Sequence, residues 1–173
     1  MIFSHIFKYC PVCGSNDFYA NSEKSCHCSN CDFEYFINAS AAVGVFIVND
    51  KNELLVCVRG KNPEKGKWDL PGGFVDYNES AENAVIREIK EELGVDITDC
   101  NYLFSFPNRY EYSGLTIPTL DLFFECKVSS IDSISPADDV ADCLFTPLHS
   151  IDISQFGFES MRNATKKFIE FHV

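Results

Sequence analysis

Two C-x2-C pairs near the start of the chain restrict its fold more than any other feature. Cys10 and Cys13 form the first, in CPVCG, and Cys28 and Cys31 the second, in CSNCD. In such a turn two thiolates face one ion, and the small residue that follows lets backbone amides approach the sulfurs. Two pairs supply four thiolates, which close a tetrahedral structural Zn2+ site and leave no open position for chemistry. The residues between the pairs suffice for a short hairpin. Residues 1–37 therefore predict a zinc ribbon, a small β element ahead of a second domain at 38–173. Cys26 and His27 adjoin the second pair, and either can replace a ligand; the equal spacing favours Cys28 with Cys31. A redox role for the pairs lacks a β-α-β setting.

The remaining cysteines, Cys57, Cys100, Cys126 and Cys143, stand singly among apolar residues and read as small core side chains. A cluster plus isolated thiols differs from a secreted disulfide scaffold and points to a reducing compartment. The first nine residues, broken by His5 and Lys8, do not read as a signal peptide. The apolar runs are strand-length, so no membrane span is expected. Together these features predict a cytoplasmic protein. Its net charge is −12, from 26 acidic and 14 basic side chains. A nucleic-acid groove needs a basic stripe, which argues against that partner. A phosphate-bearing small molecule is still compatible, provided metal ions carry the positive charge.

From residue 39 the texture is that of an α/β core. Ala41 to Val48 and Leu54 to Arg59 are β-branched runs separated by turn residues, and Phe74 to Asn78 reads as a short strand. A helix follows, with Ser80 as N-cap, Glu82 near the positive end of its dipole and Gly94 as its stop. Val95 to Phe106, Leu120 to Val128 and Ala141 to Leu148 are further strands, and Glu159 to Phe171 is a closing amphipathic helix.

On the first helix Glu88, Glu91 and Glu92 share an arc of about 100° beside the buried stripe. Three neighbouring carboxylates repel one another, and Arg87 compensates only one. A divalent ion answers the rest, and oxygen-only ligands suit Mg2+ or Mn2+. A solvated acidic patch fits this short stretch equally well.

The wider pattern Gly73-x5-Glu79-x7-Arg87-Glu88-Ile89-x-Glu91-Glu92-x-Gly94-Val95 resembles the Nudix hydrolase signature at every defined position. The preceding zinc ribbon is similar to that of the NADH pyrophosphatase branch. The resemblance implies an α/β/α sandwich with a mixed sheet, in which the signature forms loop–helix–loop. It also implies hydrolysis at phosphorus in a diphosphate joined to another moiety. By position, Glu88, Glu91 and Glu92 would be the Mg2+ or Mn2+ ligands, joined by the Gly72 carbonyl. Arg87 would hold the glutamates, Glu79 would support the loop, and Gly73 and Gly94 would complete the framework. A further catalytic carboxylate is expected before the last strand; Asp142 fits its spacing and Asp139 competes. The general base stays open among Glu88, Glu91, Asp139 and Asp142.

The substrate class implied is a nucleoside diphosphate derivative such as ADP-ribose, NADH or a dinucleoside polyphosphate. Of the NADH-branch stretch past the signature, only Ser105 and Pro107 match. Arg109, Tyr110 and Tyr112 are the candidates to hold phosphate, ribose and base. The expected partner is thus a small nucleotide, with no nucleic acid and no membrane, and the chain can pair as a homodimer. Two other readings use the same fold. One is a catalytically idle nucleotide-sensing module with the ribbon as a protein-docking element, which the intact glutamates disfavour. The other is an isomerase.

Overall fold

A computed structural model describes residues 6–172, and their contacts fall into two units, Met1–Ala39 and Ser40–Val173. The first unit is a three-stranded antiparallel sheet of β1 (Phe18–Ala20), β2 (Ser25–Cys28) and β3 (Glu34–Phe36), with β2 in the middle. Its small core holds Cys10, Phe18, Cys26 and Cys28.

The two cysteine turns have the same backbone. Gly14 N–H donates to Cys10 O and Asp32 N–H donates to Cys28 O, each at 2.9 Å. Gly14 and Asp32 both take the left-handed conformation, with φ of 71° and 59°. Glycine adopts it freely and aspartate tolerates it, so each turn closes without β-branched strain.

In the second unit one sheet has the order β4-β8-β7. β4 (Ser40–Phe46) runs parallel to β8 (Leu115–Val128), and β7 (Ile97–Tyr112) pairs antiparallel with β8. The other sheet is antiparallel, with β5 (Glu53–Arg59) between β6 (Trp68–Asp69) and β9 (Val140–Pro147). Alternation along β4 and β5 makes two cores. Val43, Val45, Leu55 and Cys57 pack with Val85, Ile89 and Leu93 of α1 (Ala81–Leu93). Phe46, Leu54 and Val56 pack with Phe168 of α2 (Glu159–His172), where Phe46 stacks on Phe168 at 4.0 Å. Strands with a period of two thus carry a helix on each face, giving an α/β/α sandwich. Each fully buried aliphatic side chain contributes about 1.5–3 kcal/mol to this arrangement.

The ends of α1 follow the sequence reading. Ser80 Oγ accepts from Asn83 N–H, and Gly94 closes the helix at φ 73°. The hairpin of β7 and β8 does not. It continues through residues 107–112 and turns at Ser113–Gly114, both at positive φ. That is a tight two-residue connection of the kind hairpins favour. Pro107 and Pro118 hide its strand character in the sequence. Phe74 to Asn78 forms only an isolated bridge, Phe74 to Ala42. Among the described residues no helix is long and apolar enough to cross a membrane.

Candidate active site

The signature loop is tied to β4 at every second residue. Val45 N–H donates to Pro71 O, Val43 N–H to Gly73 O, and Val75 N–H to Ala41 O, all within 3.0 Å. This brings Gly72 and Gly73 against both β4 and α1. A Cβ on Gly72, where φ is 139°, would run into the Val43 carbonyl. A Cβ on Gly73 would lie 2.6–2.9 Å from the Glu88 carboxylate. Gly72 is therefore required by backbone contact and positive φ, whereas a side chain at Gly73 would displace the Glu88 carboxylate.

Arg87 organises the acids around it. Its Nε and Nη2 donate to the two oxygens of Glu79 at 2.9 and 2.8 Å, a bidentate pair. Nη1 donates to Glu88 at 2.7 Å and to Glu91 at 3.2 Å, and Nη2 also reaches the Phe74 carbonyl. Hydrogen bonding to Arg87 holds the Glu79 carboxyl down to about 2. Burial pushes Glu88 above the usual carboxylate range.

Glu92 is in a different situation. It is buried, and its Oε2 accepts from Gly72 N–H at 2.8 Å. Among the described residues no lysine or arginine pairs with it. Burial pushes its carboxyl up to about 8, and the nearby Glu88 charge adds to this. The contact Gly72 makes with the acids is through its amide.

Gly72, Gly73, Arg87, Glu88, Glu91 and Glu92 line one cavity of about 340 Å³, and Glu79 supports Arg87 from outside that lining. The same cavity is also lined by residues that the sequence reading did not single out. Asp69 is enclosed and bonded to Arg59 at 2.6 Å, and burial still raises its carboxyl to about 6. Asp121 is buried and accepts from Thr119 and Ser160, each at 2.6 Å. Arg59 lies 4.8 Å over the ring of Phe158. An isolated acid in the apolar run Leu120-Asp121-Leu122-Phe123 was a usable signal, because a charge inside a strand core is costly unless satisfied.

The candidate residues separate by strand parity. Tyr110 lines the cavity, between Phe74 at 5.2 Å and Phe158 at 5.5 Å. Arg109 points to the other face of β7 and lines a smaller cavity of about 190 Å³ with Glu64, Glu111 and Arg162. Tyr112 is exposed near the hairpin turn. Asp142 is exposed, bonds to the amide of Cys143 and lies outside the lining of the larger cavity. Asp138 and Asp139 are in that lining, both paired with Lys61.

In the other unit, Cys10 Sγ lies 3.7 Å from Cys31 Sγ, and Cys13 Sγ lies 3.6 Å from Cys28 Sγ. All four sulfurs fall within 4.8 Å of one another. The Asn30 amide beside Cys13 holds its thiol down to about 6. Cys26 is buried in the ribbon core and outside this group, and the His27 ring packs edge-on to Tyr19.

A family model for the NUDIX domain matches residues 39–169, and the chain belongs to that family. Among curated proteins it is 30% identical over 106 residues to an NAD-capped RNA hydrolase NudC of Photorhabdus laumondii, covering 61% of this chain and 40% of that one. It is 44% identical over 79 residues to an ADP-ribose pyrophosphatase of Methanocaldococcus jannaschii, covering 44% of this chain and 46% of that protein. The chain thus spans less than half the length of each of these two relatives. Among solved structures, a NUDIX hydrolase from Nitrosomonas europaea shares the fold at a TM-score of 0.69 and 21% identity, over 94% of this chain and 90% of that one. A MutT NUDIX hydrolase from Burkholderia pseudomallei aligns at a TM-score of 0.64 and 25% identity, over 75% and 97%.

Proposed function

We propose that this chain is a metal-dependent hydrolase of the diphosphate linkage in nucleoside diphosphate derivatives, with water attacking phosphorus. The observation that carries this reading is Glu92, a buried carboxylate without a cationic partner, in the same cavity as Glu88, Glu91 and the ring of Tyr110. Three oxygen donors with a shortage of positive charge fit a hard divalent ion better than any neutral ligand. Glu88, Glu91 and Glu92 would hold Mg2+ or Mn2+, with the Gly72 carbonyl as a further donor. Bound there, the ion supplies Lewis-acid charge to the anhydride oxygens and lowers the pKa of a water. The chain's own part is positioning. Arg87 sets the rotamers of Glu88 and Glu91 while Glu79 fixes Arg87 from behind, and Gly73 leaves room for the Glu88 carboxylate.

An acidic cavity takes a polyanion only through such ions, which reconciles the net charge with the substrate class. Phe74, Tyr110 and Phe158 offer apolar ring surface for a nucleobase. The two relatives are named for an NAD cap and for ADP-ribose, and both molecules contain adenosine diphosphate joined to a ribose. We assign the substrate to this class, with ADP-ribose-type diphosphates cleaved at least as well as NADH because the NADH-branch segment retains only Ser105 and Pro107. Asp139 is the better placed of the two loop acids to act on the attacking water, since it lines the cavity. Residues 1–37 act as a zinc ribbon held by Cys10, Cys13, Cys28 and Cys31, and residues 38–173 as the hydrolase domain.

The test is a panel of ADP-ribose, NADH and dinucleoside polyphosphates, with products separated chromatographically with and without Mg2+. Mg2+-dependent release of a nucleoside monophosphate is expected. Binding of these compounds with no turnover at any Mg2+ or Mn2+ concentration overturns the reading in favour of a sensing module.

A further inference from the structure

The four cysteines outside the ribbon, which look solitary in sequence, meet in two facing pairs. β5 and β9 set Cys57 directly opposite Cys143, and β7 and β8 set Cys100 opposite Cys126. Directly opposed residues of an antiparallel pair have Cα atoms about 4.5–5.5 Å apart, inside the range that a disulfide bridges. In the first pair the sulfurs are already 3.1 Å apart. They need approach by only about 1 Å to bond.

The two thiols differ in a way that suits a stepwise oxidation. Cys143 is half-buried and Cys57 is fully buried in the core under α1. The hydrogen bond between them pushes Cys57 up, with burial adding to the effect, and pulls Cys143 down. Cys143 is the partner that a dissolved oxidant can reach, and the buried Cys57 is a resolving thiol held within contact. Through Cys57 the pair also adjoins the candidate active site. A small cleft of about 20 Å³ brings Cys57 together with Asp69, Gly72, Glu92 and Asp139.

We infer that Cys57 and Cys143 form a reversible oxidation site, a cross-strand dithiol beside the candidate active site that a peroxide converts to a disulfide. The Cys143 thiolate attacks the peroxide O–O bond, taking one oxygen to give a sulfenic acid while the other leaves as water once protonated. The Cys57 sulfur then displaces that oxygen as a second water, so two thiols and one hydrogen peroxide give one disulfide and two waters. Bond formation holds β5 to β9 and protects Cys143 from irreversible oxidation to the sulfinic acid.

The experiment treats the zinc-loaded full chain with about one equivalent of hydrogen peroxide, blocks free thiols and maps the digested protein by mass spectrometry. A Cys57–Cys143 disulfide peptide is expected in the wild type and in Cys100→Ser, with recovery of both thiols after dithiothreitol. The cross-linked protein should also melt at a higher temperature than the reduced one. Cys143→Ala, a half-buried position, should carry no bridge to Cys57. Sulfinic acid at Cys143 with Cys57 still free overturns the inference. So does oxidation confined to the ribbon cysteines or to Cys100 and Cys126. Because these readouts are masses and melting temperatures, they stand apart from the identity of the substrate.

Discussion

The ribbon and the glutamate turn of α1 are both rich in metal-binding side chains, yet they are built in opposite ways. In the ribbon four sulfurs lie within 4.8 Å of one another, carried on two turns closed by the same hydrogen bond. On α1 the acids are held by separate partners: Glu88 and Glu91 by Arg87, Glu92 by the Gly72 amide. Four convergent thiolates suit a closed tetrahedral zinc site, which adds to folding stability and leaves no position open for a substrate. Carboxylates held by exchangeable hydrogen bonds at the edge of a 340 Å³ cavity can share an ion with a ligand. The two sets of donors thus differ in how they are restrained, as is expected of a structural and a catalytic metal site.

The largest expected effect breaks the catalytic side alone. Glu92→Gln should lower kcat/KM by at least about a hundredfold, the scale of losing one charge-stabilising group in a preorganised site. Its ribbon should still hold one zinc per chain by elemental analysis. Near-normal turnover at saturating Mg2+ would remove Glu92 from the site. The reciprocal change is Cys28→Ser, which should lose the zinc, whereas Cys26→Ser should keep it. The opposite result would mean that Cys26 supplies the ligand.

Arg87→Lys comes next, with a loss of about ten- to a hundredfold in kcat, as for other residues that orient metal ligands. Lysine keeps the charge but not the fork that grips both oxygens of Glu79. A variant with unchanged kcat and a raised KM would show that Arg87 meets the substrate instead.

The smallest effects are in stability against pH, and two acids of the same helix neighbourhood should give opposite signs. Glu79 has its folded pKa depressed to about 2, so its contribution is present above the usual carboxylate range and is lost as pH falls towards 2. Glu92 has its folded pKa raised to about 8, so its contribution is present at low pH and is lost as pH rises towards 8. Melting curves without divalent cations should therefore show Glu79→Gln flattening the acid limb, and Glu92→Gln flattening the decline towards pH 8. Parallel curves for the variants and the wild type would contradict both assignments.

Much of this was readable in the sequence because it rests on short-range rules. The cysteine turns, the Ser80 and Gly94 caps and the carboxylates of α1 are all fixed by spacing within a few residues. What the sequence hid depends on long-range pairing. Residues 107–112 do not read as strand until β8 lies beside them, and that pairing sends Arg109 and Tyr110 to opposite faces. Arg59, Asp69 and Asp121 come from three separate strands and meet only when both sheets are assembled. The facing of Cys57 and Cys143 likewise follows from the register of β5 with β9 and from nothing local.

The glutamates of α1 are expected to bind a divalent cation independently of the ribbon. Titration of the zinc-loaded chain with Mn2+, followed by electron paramagnetic resonance, tests it most directly. Saturable binding is expected in the wild type and at least about tenfold weaker binding in Glu92→Gln, with one zinc per chain retained in both. Equal Mn2+ affinity in the two proteins would contradict it.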